Sequence, residues 1–219
     1  MASPPTLTTC PPWIADVPSE LADAFIKALT SVYQAALANV HKALPDETEI
    51  KHWHGQLFKD VVPIDYYAGN FRCDDPQDRP CLGTDVCVDG VRGVSFSVVP
   101  LSMRRLLGEL EKTFKTLELT WGAMPPRDRA LRVVATIAFG VGELIRIHPF
   151  VNGNGRVSRI LWAAFLHRFG APPQARVVPR PPHPYGEVMK ASMKGDHTPL
   201  MHLILQGLAS APQLTRPLS

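Results

Sequence analysis

The sequence has no long apolar run, no basic-then-apolar leader and few cysteines, and each shortage closes off a class of protein. Its most apolar run, Val133 to Gly142, falls far short of the roughly 20 residues a membrane span needs, so no span is expected. The first residues, MASPPTLTTCPPWIADVP, lack the basic segment and apolar segment of a Sec signal peptide. A soluble, cytoplasmic chain is the expectation, acting in its own cell or delivered to another as an effector. The four cysteines, Cys10, Cys73, Cys81 and Cys87, show neither CxxC spacing nor ligand-like histidine partners, which argues against zinc. They are too few for a disulfide scaffold. Reduced thiols are therefore expected, with Cys73 and Cys81 able to pair across a loop. A net charge of +3 is too small to imply nucleic-acid binding by the whole chain. No internal repeat is visible.

A more local shortage says more. From Leu144 to Gly186 there is no Asp, Glu or Lys, yet Arg146, Arg156, Arg159, Arg168, Arg176 and Arg180 all fall there. Arginine without lysine fits planar, bidentate phosphate recognition better than a diffuse solubilising charge.

At 219 residues the chain suits one domain with a small extension. Residues 1–16 are proline-rich and read as an irregular arm. Helical three-and-four spacing of Leu21, Phe25, Leu29, Val32, Tyr33, Ala36 and Val40 predicts one long amphipathic helix to about Leu44. A second helix runs from Pro45-Asp46-Glu47 to about Asp60. The Gly- and Pro-containing segment from Tyr66 to Pro100 carries β-branched runs at Val86–Val91 and Val94–Val99, read as a hairpin turning at Asp89-Gly90. Helical pattern resumes through Leu101, Leu106, Leu107, Leu110 and Phe114, then from Arg127 to Ile147, from Val157 to Phe169, from Tyr185 to Lys194 and from Thr198 to about Ser210. The expected fold is mainly α, about seven helices with one small β-hairpin. Its divisions are residues 1–46, arm and first helix packed on the core, and residues 47–219, the main domain.

The stretch His148-Pro149-Phe150-Val151-Asn152-Gly153-Asn154-Gly155-Arg156-Val157-Ser158-Arg159 organises the rest. Two arginines stand in the first turn of a helix, where the peptide dipoles favour anions over cations. They are three apart, on one face, where like charges repel. The arrangement makes sense around a polyanion held by loop N–H groups and both guanidinium forks. His148 stands beside that cradle, and a neutral imidazole suits a general base near neutral pH. The loop is neither a Walker motif nor GxGxxG.

HPFVNGNGRVSR resembles the Fic family signature, His-Pro-Phe-x-Asp/Glu-Gly-Asn-Gly-Arg-x-x-Arg, at every fixed position but one. Tyr67-Ala68-Gly69-Asn70-Phe71-Arg72 with the following hairpin resembles the family's entry segment and flap. Arg180 to Leu205 resembles its closing helices. The resemblance implies a Fic-like helical core and transfer of AMP from ATP, with Mg²⁺, to a hydroxyl of a target protein. By carry-over, His148 would be the base, Gly153, Asn154 and Gly155 would hold α- and β-phosphates, and Arg156 and Arg159 would grip the β- and γ-phosphates. Phe150 would anchor the loop in the core. Val94, Ser95 and Phe96 would lie in a flap to which the target segment adds as a strand.

Asn152 is the departure, standing where the family has a Mg²⁺-binding carboxylate; its amide oxygen is the weaker ligand for a hard cation. It leaves two alternatives: transfer of another phosphate-containing group such as UMP or phosphocholine, or a nucleotide- or protein-binding pseudoenzyme. Transfer of the γ-phosphate itself is disfavoured, because kinase-like Doc relatives carry lysine where this chain keeps Gly155. The family's inhibitory Ser/Thr-x-x-x-Glu-Gly/Asn has no match, since Ser192 to Asp196 has the spacing but the wrong acid. A separate, antitoxin-like inhibitor is therefore the expectation. His52-Trp53-His54, His197 and His202 are isolated histidines and do not make a metal site.

Overall fold

The computed structural model describes residues 9–13, 17–75, 77–171 and 183–208. Among them are seven α-helices: α1 Ala22–Asn39, α2 Glu47–Phe58, α3 Val99–Thr120, α4 Pro126–Ile147, α5 Asn154–Arg168, α6 Tyr185–Met193 and α7 Thr198–Leu208. A two-stranded antiparallel hairpin, β1 Cys87–Val88 and β2 Val91–Arg92, precedes α3. The mainly α expectation, with one small hairpin, is met.

Helix α4 is the hub, packing against α3, α5, α6 and α7. Its residues are buried on nearly every side, among them Val133, Val134, Ile137, Val141, Leu144 and Ile147. A helix apolar all round belongs in an interior. Helix α3 buries one stripe only, Met103, Leu106, Leu110, Phe114 and Leu117, at three-and-four spacing. Asp46 caps α2, its side chain accepting the Glu49 N–H at 2.8 Å. Helix α1 packs on α2 and α5, and its buried Phe25, Val32, Tyr33 and Ala36 belong to the same core as α4.

Several expectations need correcting. The first helix is shorter, a 3₁₀ turn at Ser19–Leu21 followed by α1 ending at Asn39. The hairpin is tighter than the β-branched runs suggested. Asp89 and Gly90 turn it with φ of 49° and 79°, the paired positive values of a type I′ turn. Val94–Val99 is not a strand: Val94 donates its N–H to the Arg146 carbonyl, Phe96–Val98 is a 3₁₀ turn, and Pro100 sits in the first turn of α3. Tertiary bonding and a helix start override β propensity there. Helix α5 begins at Asn154, three residues earlier than the periodicity indicated, because Gly153 caps it with φ of 80°.

The cysteine expectation fails as well. Cys10 is joined to Cys81 by a disulfide, 71 residues apart in sequence, while Cys73 and Cys87 are free. Residues 9–13 of the arm fold back on the domain, bringing the two Cα atoms to 5.4 Å, within bridging range. The Pro/Arg-rich connection with Arg176 and Arg180 lies outside the described residues. Among those described, no helix is long and apolar enough to cross a membrane.

Candidate active site

His148 closes α4 in the left-handed conformation, φ 53° and ψ 60°, and Pro149 after it prevents further helix. A non-glycine residue there costs roughly 1–2 kcal/mol, so something must hold it. Arg72 does. Its fully buried guanidinium donates from Nε to the His148 carbonyl at 2.8 Å and from Nη2 to the Ile147 carbonyl at 2.8 Å and the Val94 carbonyl at 2.7 Å. Nη1 reaches the Thr84 carbonyl at 3.1 Å. One side chain thus ties the hairpin region to the histidine. Burial pushes the Arg72 guanidinium down to about 10, opposed by the Asp85 carboxylate.

The imidazole is oriented by its own helix. His148 Nδ1 lies 3.2 Å from the Ile145 carbonyl, which can only accept. Nδ1 therefore carries the proton and Nε2 holds the lone pair. Burial pushes His148 down to about 4; the Ile145 hydrogen bond opposes this and the Arg72 charge adds to it. The ring is neutral near pH 7, with Nε2 able to accept a proton.

Beyond it, the loop is fixed from inside. Phe150 is fully buried, as an anchor should be. Asn154 spends its side chain on the loop, Oδ1 accepting the Phe150 N–H at 3.0 Å and Nδ2 donating to the Phe150 carbonyl at 2.9 Å. Only its backbone N–H can serve a ligand. Gly153 admits no side chain: a Cβ there would fall 2.4 Å from Phe58 Cε2. First-turn N–H groups of a helix have no preceding helical carbonyl to bond; here Gly153 gives its N–H to Asn152 Oδ1 and Arg156 to the Gly153 carbonyl, which leaves those of Asn154 and Gly155.

One cleft of about 450 Å³ gathers the pieces. His148, Asn152, Gly153, Asn154, Gly155, Arg156 and Arg159 all line it, and Val88 and Asp89 of the hairpin rim it. Tyr185, Met189 and Lys190 of α6 form the opposite wall. Two buried polar atoms in this cleft, Arg159 Nε and Tyr185 Oη, have no hydrogen-bond partner among the described residues. Such groups are costly unless something polar reaches them. The Arg156 guanidinium lies 5.0 Å from the centre of the Phe25 ring and 5.6 Å from that of Phe58. Helix α1 therefore helps shape the site.

The arginine excess divides. Arg146 pairs with Glu143 at 2.7 Å, and Arg168 bonds Glu118 and the Val40 carbonyl. Both are structural. Val94, Ser95 and Phe96 do not line the cleft. Val94 has both peptide groups engaged, and Phe96 gives its N–H to Asp85 Oδ1 at 2.8 Å. A strand could add elsewhere on the hairpin. Gly93 N–H bonds the Val86 carbonyl at 3.0 Å, so the next pair, Cys87 and Arg92, turns its peptide groups outward.

Asn152 is committed to its neighbours. Oδ1 accepts the Gly153 N–H at 2.7 Å, and Nδ2 donates to the Trp13 carbonyl at 2.9 Å. Trp13 packs on His54, Phe58 and Tyr67 just beyond the Cys10–Cys81 bridge. Among the described residues no group of three His, Cys, Asp or Glu side chains is placed to hold a metal ion. Sequence reasoning missed Trp13, Tyr185 and the roles of Arg72 and His54. For Arg72 the only signal was its place in the segment Tyr67 to Arg72.

The fold and site define an α-helical domain that gathers a histidine and two arginines around the N-terminus of one helix. The chain belongs to the Fic/DOC family, whose model matches residues 44–166. It is 35% identical over 79 residues to the "Protein adenylyltransferase Fic" of Drosophila mojavensis, a match covering 36% of this chain and 15% of that protein. With the Drosophila melanogaster protein of the same name the identity is 40% over 63 residues, 28% of this chain and 12% of that one. The chain thus matches a small part of these relatives' length. Among solved structures, a Fic domain containing signaling protein from Bacteroides thetaiotaomicron superposes with TM-score 0.53 at 20% identity, covering 82% of this chain and 59% of that one. The N-terminal FIC domain of Bep8 from Bartonella sp. 1-1C gives 0.50 at 16% identity, covering 84% of each. These two likenesses concern the fold.

Proposed function

We propose that this chain is a protein adenylyltransferase, moving AMP from ATP to a hydroxyl side chain of a target protein. The observation that carries the reading is the shared cleft: a neutral histidine with its Nε2 lone pair uncommitted stands beside a helix N-terminus and the unpartnered Arg159 Nε. Nε2 takes the proton of the target hydroxyl as its oxygen attacks the α-phosphorus. The α–β phosphoanhydride bond breaks and pyrophosphate leaves. Backbone N–H groups of Asn154 and Gly155 bind the α- and β-phosphates, while the Gly153 N–H stays with Asn152 Oδ1. Arg156 and Arg159 neutralise charge building on the leaving group, the main contribution a protein makes to such transfers. The target segment pairs with the outward edge of the hairpin at Cys87 or Arg92 rather than with Val94–Phe96.

Mg²⁺ suits this site only as a companion of the nucleotide. Asn152 Oδ1 has a second lone pair beyond its bond to Gly153, so it would supply one neutral ligand, the remainder coming from phosphates and water. The ion would supply charge neutralisation on the triphosphate.

The test incubates the chain with cell lysate and ATP labelled at the α- or γ-phosphate, with labelled CTP, GTP and UTP alongside, and repeats it with His148→Ala. α-Label from ATP on a protein, lost with His148→Ala, is the expected result. γ-Label would mean phosphoryl transfer, and UTP label would mean UMP transfer. ATP binding without any transfer would make the chain a nucleotide-binding module.

A further inference from the structure

His54 is fully buried on α2, outside the signature loop, and is not among the residues lining the His148 cleft. Both its ring nitrogens are nonetheless engaged. Nδ1 lies 3.0 Å from the Gly69 N–H, which can only donate, so Nδ1 is the bare nitrogen. The proton is then on Nε2, which donates to the Asn152 carbonyl at 2.9 Å. The ring stacks flat on Phe150, centroids 3.7 Å apart and planes 6° apart, with Trp13 edge-on at 5.8 Å. It cannot turn.

That bond fixes more than one carbonyl. A trans peptide points its C=O and the following N–H in opposite directions. Holding the Asn152 carbonyl inward against His54 therefore aims the Gly153 N–H outward, where it meets Asn152 Oδ1 on the cleft side. The alternative, a flipped 152–153 peptide, would present a carbonyl oxygen to the phosphates and break the Gly153 N–H bond to Asn152 Oδ1. Glycine at 153 is free enough to make that flip cheap. Something outside the loop must choose between the two.

We propose that His54 is the positioning residue that selects the anion-binding orientation of the Asn152–Gly153 peptide. The inference rests on reading the cleft as a triphosphate site. Burial pushes His54 down to about 3, so ring and tautomer persist across the working pH range.

The experiment has two arms. Titration of wild type, His54→Phe and His54→Gln with ATP reads the cradle directly, and thermal melting shows what fraction of each is folded. His54→Phe keeps a flat ring against Phe150 but no donor; it should weaken ATP binding by about tenfold, the scale of one oriented hydrogen bond to an ion. His54→Gln restores an N–H donor at comparable reach and should recover most of that loss. Equal ATP affinity for folded His54→Phe and wild type overturns the proposal, as does equal impairment of both variants. The second arm needs no variant: ¹⁵N spectra of wild-type histidines should show His54 protonated at Nε2 and bare at Nδ1, with a shift on adding ATP. The opposite tautomer overturns the proposal. Wild type that binds no nucleoside triphosphate overturns the cradle reading and this inference with it, whereas ATP binding insensitive to His54 overturns the inference alone.

Discussion

Replacing Arg72 tests how much of this site is held by one buried cation. Its guanidinium, with no solvent exposure, gives four hydrogen bonds to the carbonyls of His148, Ile147, Val94 and Thr84, at 2.7–3.1 Å. Hydrogen bonds from a charged donor contribute about 1.5–3 kcal/mol each, which would total about 6–12 kcal/mol if they added. They do not add, because the buried charge itself is penalised; the carboxylate of Asp85 at 3.8 Å is half exposed and offsets little of that. For Arg72→Met, which removes the charge and orphans four carbonyls, the expected loss is about 3–5 kcal/mol of a total near 5–15 kcal/mol. Arg72→Lys keeps the charge but cannot span four acceptors, and should lose about half as much. Urea unfolding measures both, with the slope m checked for constancy. Hydrogen exchange should show faster opening of residues 84–96 together with the end of α4, because the same side chain ties them. A midpoint shift for Arg72→Met equivalent to less than about 1 kcal/mol would refute the reasoning.

Gly153→Ala places a Cβ 2.4 Å from Phe58 at φ 80°, so the cap of α5 must shift; melting should drop by several degrees and ATP titration should show binding largely lost. Acid should destabilise the fold early: below pH about 6.5 the unfolded chain protonates His54 while the fold, at about 3, does not, so stability falls by about 1.4 kcal/mol per pH unit from that group. Urea midpoints that stay flat from pH 7 to 5 would sink this. Glu143 acts in a lower window: burial raises its pKa, but His197 and Arg146 outweigh that and bring it to about 2, so the stability it adds above about 4.5 is lost as pH falls toward 2. Asn152→Asp removes the donor to Trp13 and sets a carboxylate against its carbonyl; the arm should become more protease-sensitive, while label transfer stays equal or rises.

What was legible in the sequence was contiguous or periodic. The signature loop, the helices on either side of it and the Asp89-Gly90 turn are local patterns, and the structure gathers the loop residues into one cleft. The partners of that loop were not legible. His54 lies 98 residues from the carbonyl it holds, and Arg72 lies 76 from His148. Both bond to backbone, and any residue type presents the same carbonyl, so no sequence pattern marks the acceptor. Cys10 and Cys81 are likewise joined only because an irregular arm folds back, which composition does not disclose. Val94–Val99 misled for the opposite reason. Its local propensity is real, but the hydrogen bonds of Val94 and Phe96 go to α4 and Asp85.

The departure at Asn152 changes meaning in this setting. Considered alone, an amide in place of a carboxylate is a poorer metal ligand and weakens the case for catalysis. In place, it has two jobs a carboxylate could not both perform. Its Oδ1 covers the Gly153 N–H, and its Nδ2 takes the carbonyl of an arm tethered by a disulfide. An ionised carboxylate only accepts, whereas the amide offers a donor and an acceptor on the same short side chain. The same loop is gripped from below by His54, from the histidine side by Arg72, and from the arm by Trp13. Three separate parts of the chain therefore converge on one stretch, His54 and Arg72 on its backbone carbonyls and Trp13 on the Asn152 side chain. The strained conformation of His148 and the outward N–H of Gly153 persist because these contacts over-determine them.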